Sequence, residues 1–283
     1  MIPHLITPDM KERRLTIVLL DLIGSTQFVQ KAGPLKAAKW LQYHDRLTRS
    51  LMHRFSGREI DRSDGFLLSF ERTIDAVNFA LHYQATVPAK IRLQTRIGIH
   101  VGIVAEVQQH ELDVIVGAKQ IELEGIAKNI AARAMSLSGP GQVLLTEAAF
   151  KEVSGRTNAH TPKHTRYALA GLYRFKGVRE PITIYCVGIT TASLQPPQGS
   201  DKVKRLGGPR KVKSHLRHMR ARELLAWVFT RAALIIALIW TIKIMIWLSR
   251  PSARRLWGFD HAPWTWLDHL NHLIQFIIQG SSS

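Results

Sequence analysis

The stretch LTIVLLDLIGST, residues 15–26, constrains the fold more than any other part of the chain. Its first eight residues are apolar, short and rich in β-branched side chains, the pattern of a buried strand. One carboxylate, Asp21, interrupts the run near its end. Gly24, Ser25 and Thr26 follow at once and turn the chain toward a helix. A lone acid in such a place reads as a helix cap or a turn former, so what surrounds it in sequence decides its meaning.

The rest of the first two thirds alternates strand and helix patterns. Residues 34–56 carry Leu35, Ala38, Leu41, Leu47, Leu51 and Phe55 at helical spacing. A short strand near 59–61, a Ser63-Asp64-Gly65 turn and a strand over 66–70 predict a hairpin with Asp64 at its tip. Residues 73–86 predict an amphipathic helix ending before Pro88. Residues 92–107 hold a long alternating strand, with Arg92, Arg96 and His100 expected on its exposed face. Residues 119–137 predict an alanine-rich helix. A GPGQ turn leads into VLLT, a helix follows over 147–154, and the domain's last strand lies near 182–187. The order β-α-β-β-α-β predicts an α+β domain with a ferredoxin-like core. Its antiparallel sheet would be covered by helices on one face.

Strand one and the hairpin should be sheet neighbours, which brings Asp21 and Asp64 to one end of the sheet. Two hard oxygen ligands beside a helix-opening turn suit Mg²⁺ and phosphate together: the carboxylates hold metal, and the backbone N–H groups of Gly24, Ser25 and Thr26 face phosphate.

The charge sits elsewhere. The formal net charge is +18, but from Lys202 to Arg222 there are nine Lys and Arg and no acid, so the excess is concentrated in one segment. Residues 190–201, with their Pro-Pro, read as a linker. Residues 223–250 are strongly apolar; Ala232–Leu248 holds one charge in seventeen residues, Lys243. Taken with the flanking apolar residues, this approaches the roughly 20 residues that cross a bilayer. A transmembrane helix is therefore expected over 223–250, behind a basic juxtamembrane segment at 189–222, with an amphipathic tail at 251–283. The sole cysteine, Cys186, excludes a disulfide framework or a cysteine zinc cluster. The N-terminus lacks the apolar core of a signal peptide, so residues 13–188 are expected in the cytoplasm, anchored to the cell inner membrane.

Five segments in chain order carry a resemblance: VLLDLIGSTQFVQKAG, GREIDRSDGFLLSFE, RIGIHVGIV, EGIAKNIAARAMSLSGPGQVLLTEAAF and FKGVREPITIYCV. Together they resemble the class III nucleotide cyclase catalytic domain over residues 13–188. The resemblance implies a homodimer with two sites at its interface, forming a 3′,5′-cyclic nucleotide and pyrophosphate. It implies Asp21, Asp64 and the Leu22 carbonyl as ligands of two Mg²⁺ or Mn²⁺ ions. It also implies that Asn129 and Arg133, four apart on one helix face, come from the other protomer, to orient the ribose and stabilise the transition state. Lys128 departs from the apolar residue usual before that Asn. Glu122 falls at one base-contacting position. The other falls on Asp61 or Arg62: Arg62 with Glu122 would favour adenine, whereas Asp61 would favour guanine. ATP is the expected substrate and GTP the alternative. Lys176 and Arg179 are the expected cations for the terminal phosphates.

A different class of function competes with this one: a cyclase-like module that binds nucleotide or a partner without turnover. All four of Asp21, Asp64, Asn129 and Arg133 are present, which argues against it. Nucleic-acid binding through 202–222 is not expected, because that block lacks aromatic residues for base stacking.

Overall fold

A computed structural model describes residues 9–63, 65–208, 236–238 and 240–241. The chain divides into two units, Met1–His215 and Leu216–Ser283. In the second, the described residues are a few helical positions.

The first unit is built on one nine-stranded sheet. In chain order come β1 (Asp9–Leu22), α1 (Ser25–Ala32), α2 (Pro34–Arg54), β2 (Arg58–Arg62), β3 (Gly65–Phe70), α3 (Thr73–Ile91) and β4 (Thr95–Gln108). There follow α4 (Glu111–Ile115), β5 (Ile121–Glu124), α5 (Ile126–Leu137), β6 (Val143–Thr146), α6 (Glu147–Val153), β7 (Arg166–Phe175), β8 (Ile182–Gly188) and β9 (Val203–Gly207). The strand order is β2-β3-β1-β4-β6-β8-β7-β9, with β5 paired to β4. Among the described residues, only the β4–β6 pair is parallel.

Helices cover both faces, not one as the sequence pattern implied. On β1, Val18, Leu20 and Leu22 pack into the core shared with α2, α3 and α6, against Phe66, Phe79 and Ile97. Leu15 and Ile17, on the opposite side of the same strand, pack against Ala127 and Ala131 of α5. An alternating strand buried on both sides gives the continuous apolar run seen in the sequence. The close seat of α5 is set by Gly98 of β4: a Cβ there would stand 2.6 Å from the Ala131 carbonyl oxygen and 2.7 Å from the Ala134 carbonyl carbon.

Several boundaries differ from the sequence expectation. α3 runs through Pro88 to Ile91 instead of stopping before the proline. Val87 and Ile91 are both buried, and burying them offsets the hydrogen bond that proline removes. Arg92 ends this helix in a left-handed conformation, φ 56°, so it lies off the long strand. The expected helix over 119–137 is a strand, β5, and a helix, α5, separated at Gly125 with φ 131°. Beyond residue 188 the sheet continues: the span expected to be a linker is held against the sheet and leads into β9, which pairs with β7.

Among the described residues, no helix is long and apolar enough to cross a membrane. The expected span at 223–250, apart from the few helical positions named above, lies outside the described residues, as do Asp64, residues 209–222 and the tail at 251–283.

Candidate functional site

The end of β1 is the centre of the site. In the sheet register Asp21 stands opposite Gly65 of β3 on one side and Arg96 of β4 on the other. Gly65 is required there, because a Cβ would collide with the Leu20 carbonyl. The next turn uses Gly24 in a left-handed conformation, φ 76°, to start α1 at Ser25. No side chain caps that helix and its first turn holds no acid, so its leading N–H groups are left to face an anion.

These elements line a cavity of about 970 Å³ that takes in Asp21, Leu22, Gly24, Ser25, Thr26, Arg62, Ser63, Arg96, Ser138 and Pro140. Five of the sequence candidates thus meet in one place, with Arg62 beside them. Arg96 was expected on an exposed strand face. Instead its Nε and Nη2 both donate to Oδ2 of Asp21, at 3.0 and 2.6 Å. The Asp21 side chain is 18% exposed, a setting in which an ion pair counts for more than on open surface. The Asp21–Arg96 pairing follows from the antiparallel register of β1 with β4, which the sequence alone does not give. His100 is buried as well, with Nδ1 2.8 Å from Thr146 Oγ1, and burial pushes its pKa down to about 4.

A second, smaller cleft of about 70 Å³ lies between β2 and β5, lined by Asp61, Lys119, Glu122, Glu124 and Lys128 among others. Lys119 pairs with Asp61 at 2.6 Å, and Lys128 with Glu124 at 2.7 Å. Glu122 accepts from Gln109 Nε2 at 3.5 Å. Arg62 does not join it. Its Nε donates to Asp45 at 3.0 Å, its guanidinium lies over Phe66, and it also donates to the Ser63 carbonyl. Lys119 is the residue that the sequence reading missed here.

Asn129 and Arg133 sit on α5 and line neither cavity. Arg133 Nε donates to the Lys176 carbonyl at 3.5 Å. Lys176 and Arg179 are exposed on the turn between β7 and β8, away from the Asp21 cavity. Within one chain, then, the candidates fall into two groups. Asp21 and the α1 N-terminus form one, and Asn129, Arg133 and Lys176 the other.

Among the described residues, no group of three or more His, Cys, Asp or Glu gathers as a metal site. Asp21 and the Leu22 carbonyl at the strand end offer hard oxygen donors of the kind Mg²⁺ and Mn²⁺ take. Arg96 takes Oδ2 of this carboxylate, so a divalent ion would bind through Oδ1 or displace the guanidinium. The described donors, one carboxylate and one backbone carbonyl, are of the type such an ion takes.

No family model matches the chain. A Rhizobium meliloti protein provisionally named adenylate cyclase 3 is 23% identical over 201 residues, covering 67% of this chain and 30% of the relative. The receptor-type adenylate cyclase GRESAG 4.3 of Trypanosoma brucei brucei is 32% identical over 93 residues, 33% of this chain and 7% of the relative. The chain thus spans less than a third of the length of either relative. Among solved structures, the adenylyl cyclase CyaB of P. aeruginosa superposes with a TM-score of 0.56 at 16% identity, over 66% of this chain and 99% of that one. The guanylyl cyclase Cya2 gives 0.53 at 20% identity, over 67% and 100%. The fold is that of class III adenylate and guanylate cyclase catalytic domains.

Proposed function

We propose that this chain is a nucleotide cyclase that converts ATP to cyclic AMP and pyrophosphate in a homodimer. The observation that carries the reading is the pairing of the Asp21 carboxylate with the uncapped start of α1 on one cavity of about 970 Å³, on a cyclase fold. In this reading Asp21 and the Leu22 carbonyl, with Asp64 from outside the described residues, hold Mg²⁺ or Mn²⁺. When bound, two such ions make the ribose 3′-OH more acidic and offset charge at the α-phosphate. The N–H groups of Gly24, Ser25 and Thr26 bind phosphate oxygens. Arg96 lines the same cavity, and a metal ion that displaced it from Asp21 would free its guanidinium for phosphate. The 3′-oxygen attacks the α-phosphorus as its bond to the pyrophosphate oxygen breaks.

Asn129 and Arg133 cannot complete this cavity from their own chain, since they line a different surface. A second copy brings them, Asn129 to orient the ribose and Arg133 to meet the charge that develops on phosphate. Lys176 and Arg179 lie on that same side, for the terminal phosphates.

The cleft between β2 and β5 selects the base. Lys119, held by Asp61, replaces Arg62 as the donor, and Glu122 is the acceptor; adenine offers one of each, N1 and the 6-amino group. One observation favours guanine as a second reading: Asp61 and Glu122 put two carboxylates on the cleft, and the guanine edge has two donors.

The apolar segment 223–250 would anchor the chain in the cell inner membrane, with the basic block at 202–222 and the catalytic unit on the cytoplasmic side. Flotation with liposomes tests that part. The activity is tested by incubating the full chain with ATP or GTP and Mg²⁺ or Mn²⁺, then identifying the product. Absence of cyclic product from both nucleotides, at concentrations where the chain is dimeric, sinks the enzyme reading.

A further inference from the structure

Residues 195–207 are bound to the sheet by more contacts than a linker needs. Gln195 offers its carbonyl to Gln142 Nε2 at 2.8 Å and to Cys186 Sγ at 3.5 Å. Tyr173 donates its hydroxyl to the Pro197 carbonyl at 2.6 Å, and burial pushes that phenol up to about 12, so it remains a donor at neutral pH. Ser200 and Val203 exchange backbone hydrogen bonds at 2.9 and 3.0 Å, which turns the chain into β9. The partner strand is shaped to receive it. Gly171 of β7 has φ 144°, and a Cβ there would lie 2.5 Å from the Gly207 carbonyl oxygen. No other residue fits that approach.

Two features tie this strap to α5. Val203, 2% exposed, belongs to the same buried cluster as Ile130 and Ala134 of the helix that carries Asn129 and Arg133. Lys176 gives its N–H to the Lys202 carbonyl at 2.9 Å, while its own carbonyl accepts from Arg133 Nε. A single peptide unit pair thus joins the start of β9 to Arg133. The basic block and the apolar run continue covalently from the end of β9.

We propose that residues 195–207 form a positioning strap for Arg133: β9 fixes the Lys176 turn, and the Lys176 carbonyl orients the guanidinium by the 3.5 Å hydrogen bond it accepts from Nε. The proposal rests on the cyclase reading above and deepens it. Arg133 acts when charge develops, so loosening the strap lowers kcat, and the Lys176 ammonium on the same turn adds a rise in KM.

The test uses the full chain. Gly171→Ala pushes against Gly207 and unseats β9; Tyr173→Phe removes one tie and keeps the ring. Turnover is measured in each, alone and combined with Arg133→Ala. The expected result is a drop in kcat of about tenfold or more for Gly171→Ala, a smaller drop for Tyr173→Phe, and no further loss of kcat in the Arg133→Ala background. An unchanged kcat, or the same fold-loss in both backgrounds, overturns the proposal. Should Gly171→Ala fail to fold, Tyr173→Phe decides by the same criteria. Amide exchange gives a readout that does not need turnover. If the unaltered chain makes no cyclic nucleotide, the cyclase reading fails by itself. The strap then stands only if the Lys176 amide exchanges faster in Gly171→Ala, and it falls if that rate is unchanged.

Discussion

Gly98→Ala tests the seat of α5 more sharply than any change at the site itself. The added methyl would stand 2.6 Å from the Ala131 carbonyl oxygen and 2.7 Å from the Ala134 carbonyl carbon, with the Met135 N–H closer still. All three are helix backbone, so no side chain can swing aside. Ordinary contact begins near 3.4 Å, so α5 must lift by about 1 Å, since packed interiors transmit strain and do not absorb it. Overpacking of this kind costs roughly 1–3 kcal/mol. In a unit of this size each kcal/mol moves the melting temperature by about 2–4 °C, so a drop of several degrees is expected. Asn129 and Arg133 ride on the lifted helix, and a displacement of about 1 Å in a positioning element costs on the order of 10²-fold in rate. Thermal melting followed by turnover, at a temperature where both proteins are folded, separates the two effects. Gly102→Ala is the milder comparison, because its Cβ meets the Ala127 methyl at 2.8 Å. A Gly98→Ala protein with the parent melting temperature and turnover would refute the packing argument.

Asp21→Asn keeps the shape of the strand end and removes its charge; turnover should fall by at least about 10²-fold in any Mg²⁺ or Mn²⁺ concentration, as expected for a lost metal ligand, and near-parent activity by product assay would remove Asp21 from that role. Lys119→Ala should shift the ratio of ATP to GTP turnover while leaving the melting temperature within about 2 °C, because the Lys119–Asp61 pair is half-exposed and contributes little stability; an unchanged ratio would take Lys119 out of base selection. His100 carries a pH signature. Burial, and then the nearby Arg14, lower its pKa to about 4, while the unfolded chain titrates near 6.5. Between these values the unfolded chain binds a proton that the fold excludes. Stability present above about pH 6.5 is therefore lost as the pH falls through about 4, by on the order of 3 kcal/mol in total. Melting temperatures of His100→Gln between pH 7 and 5 should show a shallower fall than the parent, the remainder coming in part from His44, also lowered by burial.

What was legible in the sequence follows from how each element buries its residues. β1 and β3 were readable because their buried runs are continuous. β5 was not: Ile-Glu-Leu-Glu leads straight into an alanine-rich helix, and with Leu123 its one fully buried residue, four residues of alternation cannot be told from a helix turn. β9 was hidden for a related reason. As an edge strand it buries Val203, exposes Lys204 and turns Arg205 back to the Ala170 carbonyl, so in sequence it reads as part of a basic block. The meeting of Asp21 with the α1 start was legible because both lie within six residues of each other. The Arg96 partner was not, because it depends on which residues of a fourteen-residue antiparallel pair stand opposite one another.

Which of Asp61 and Arg62 faces the cleft between β2 and β5 is set by a feature that no reading of segment length could supply. β2 carries an irregularity: Glu59 stands opposite Leu68 and Asp61 opposite Leu67, so Ile60 is the extra residue. Such a bulge sets two consecutive side chains on one face and reverses every side chain after it. Ile60 packs toward α5 with Leu15 and Ile17, and Asp61 follows it to the same side, where Lys119 and Glu122 wait. Arg62 turns the other way, to Asp45 and the face of Phe66. Without the bulge the two residues would trade faces, and an arginine would stand in that cleft. The single inserted residue thus fixes the charge of the cleft. It also places a guanidinium beside Ser63 at the hairpin tip, next in sequence to Asp64. Deleting Ile60 should therefore change two things together: nucleotide preference, through Asp61, and the metal dependence of turnover, through the tip. A deletion that altered stability alone would mean that the bulge serves packing and nothing more.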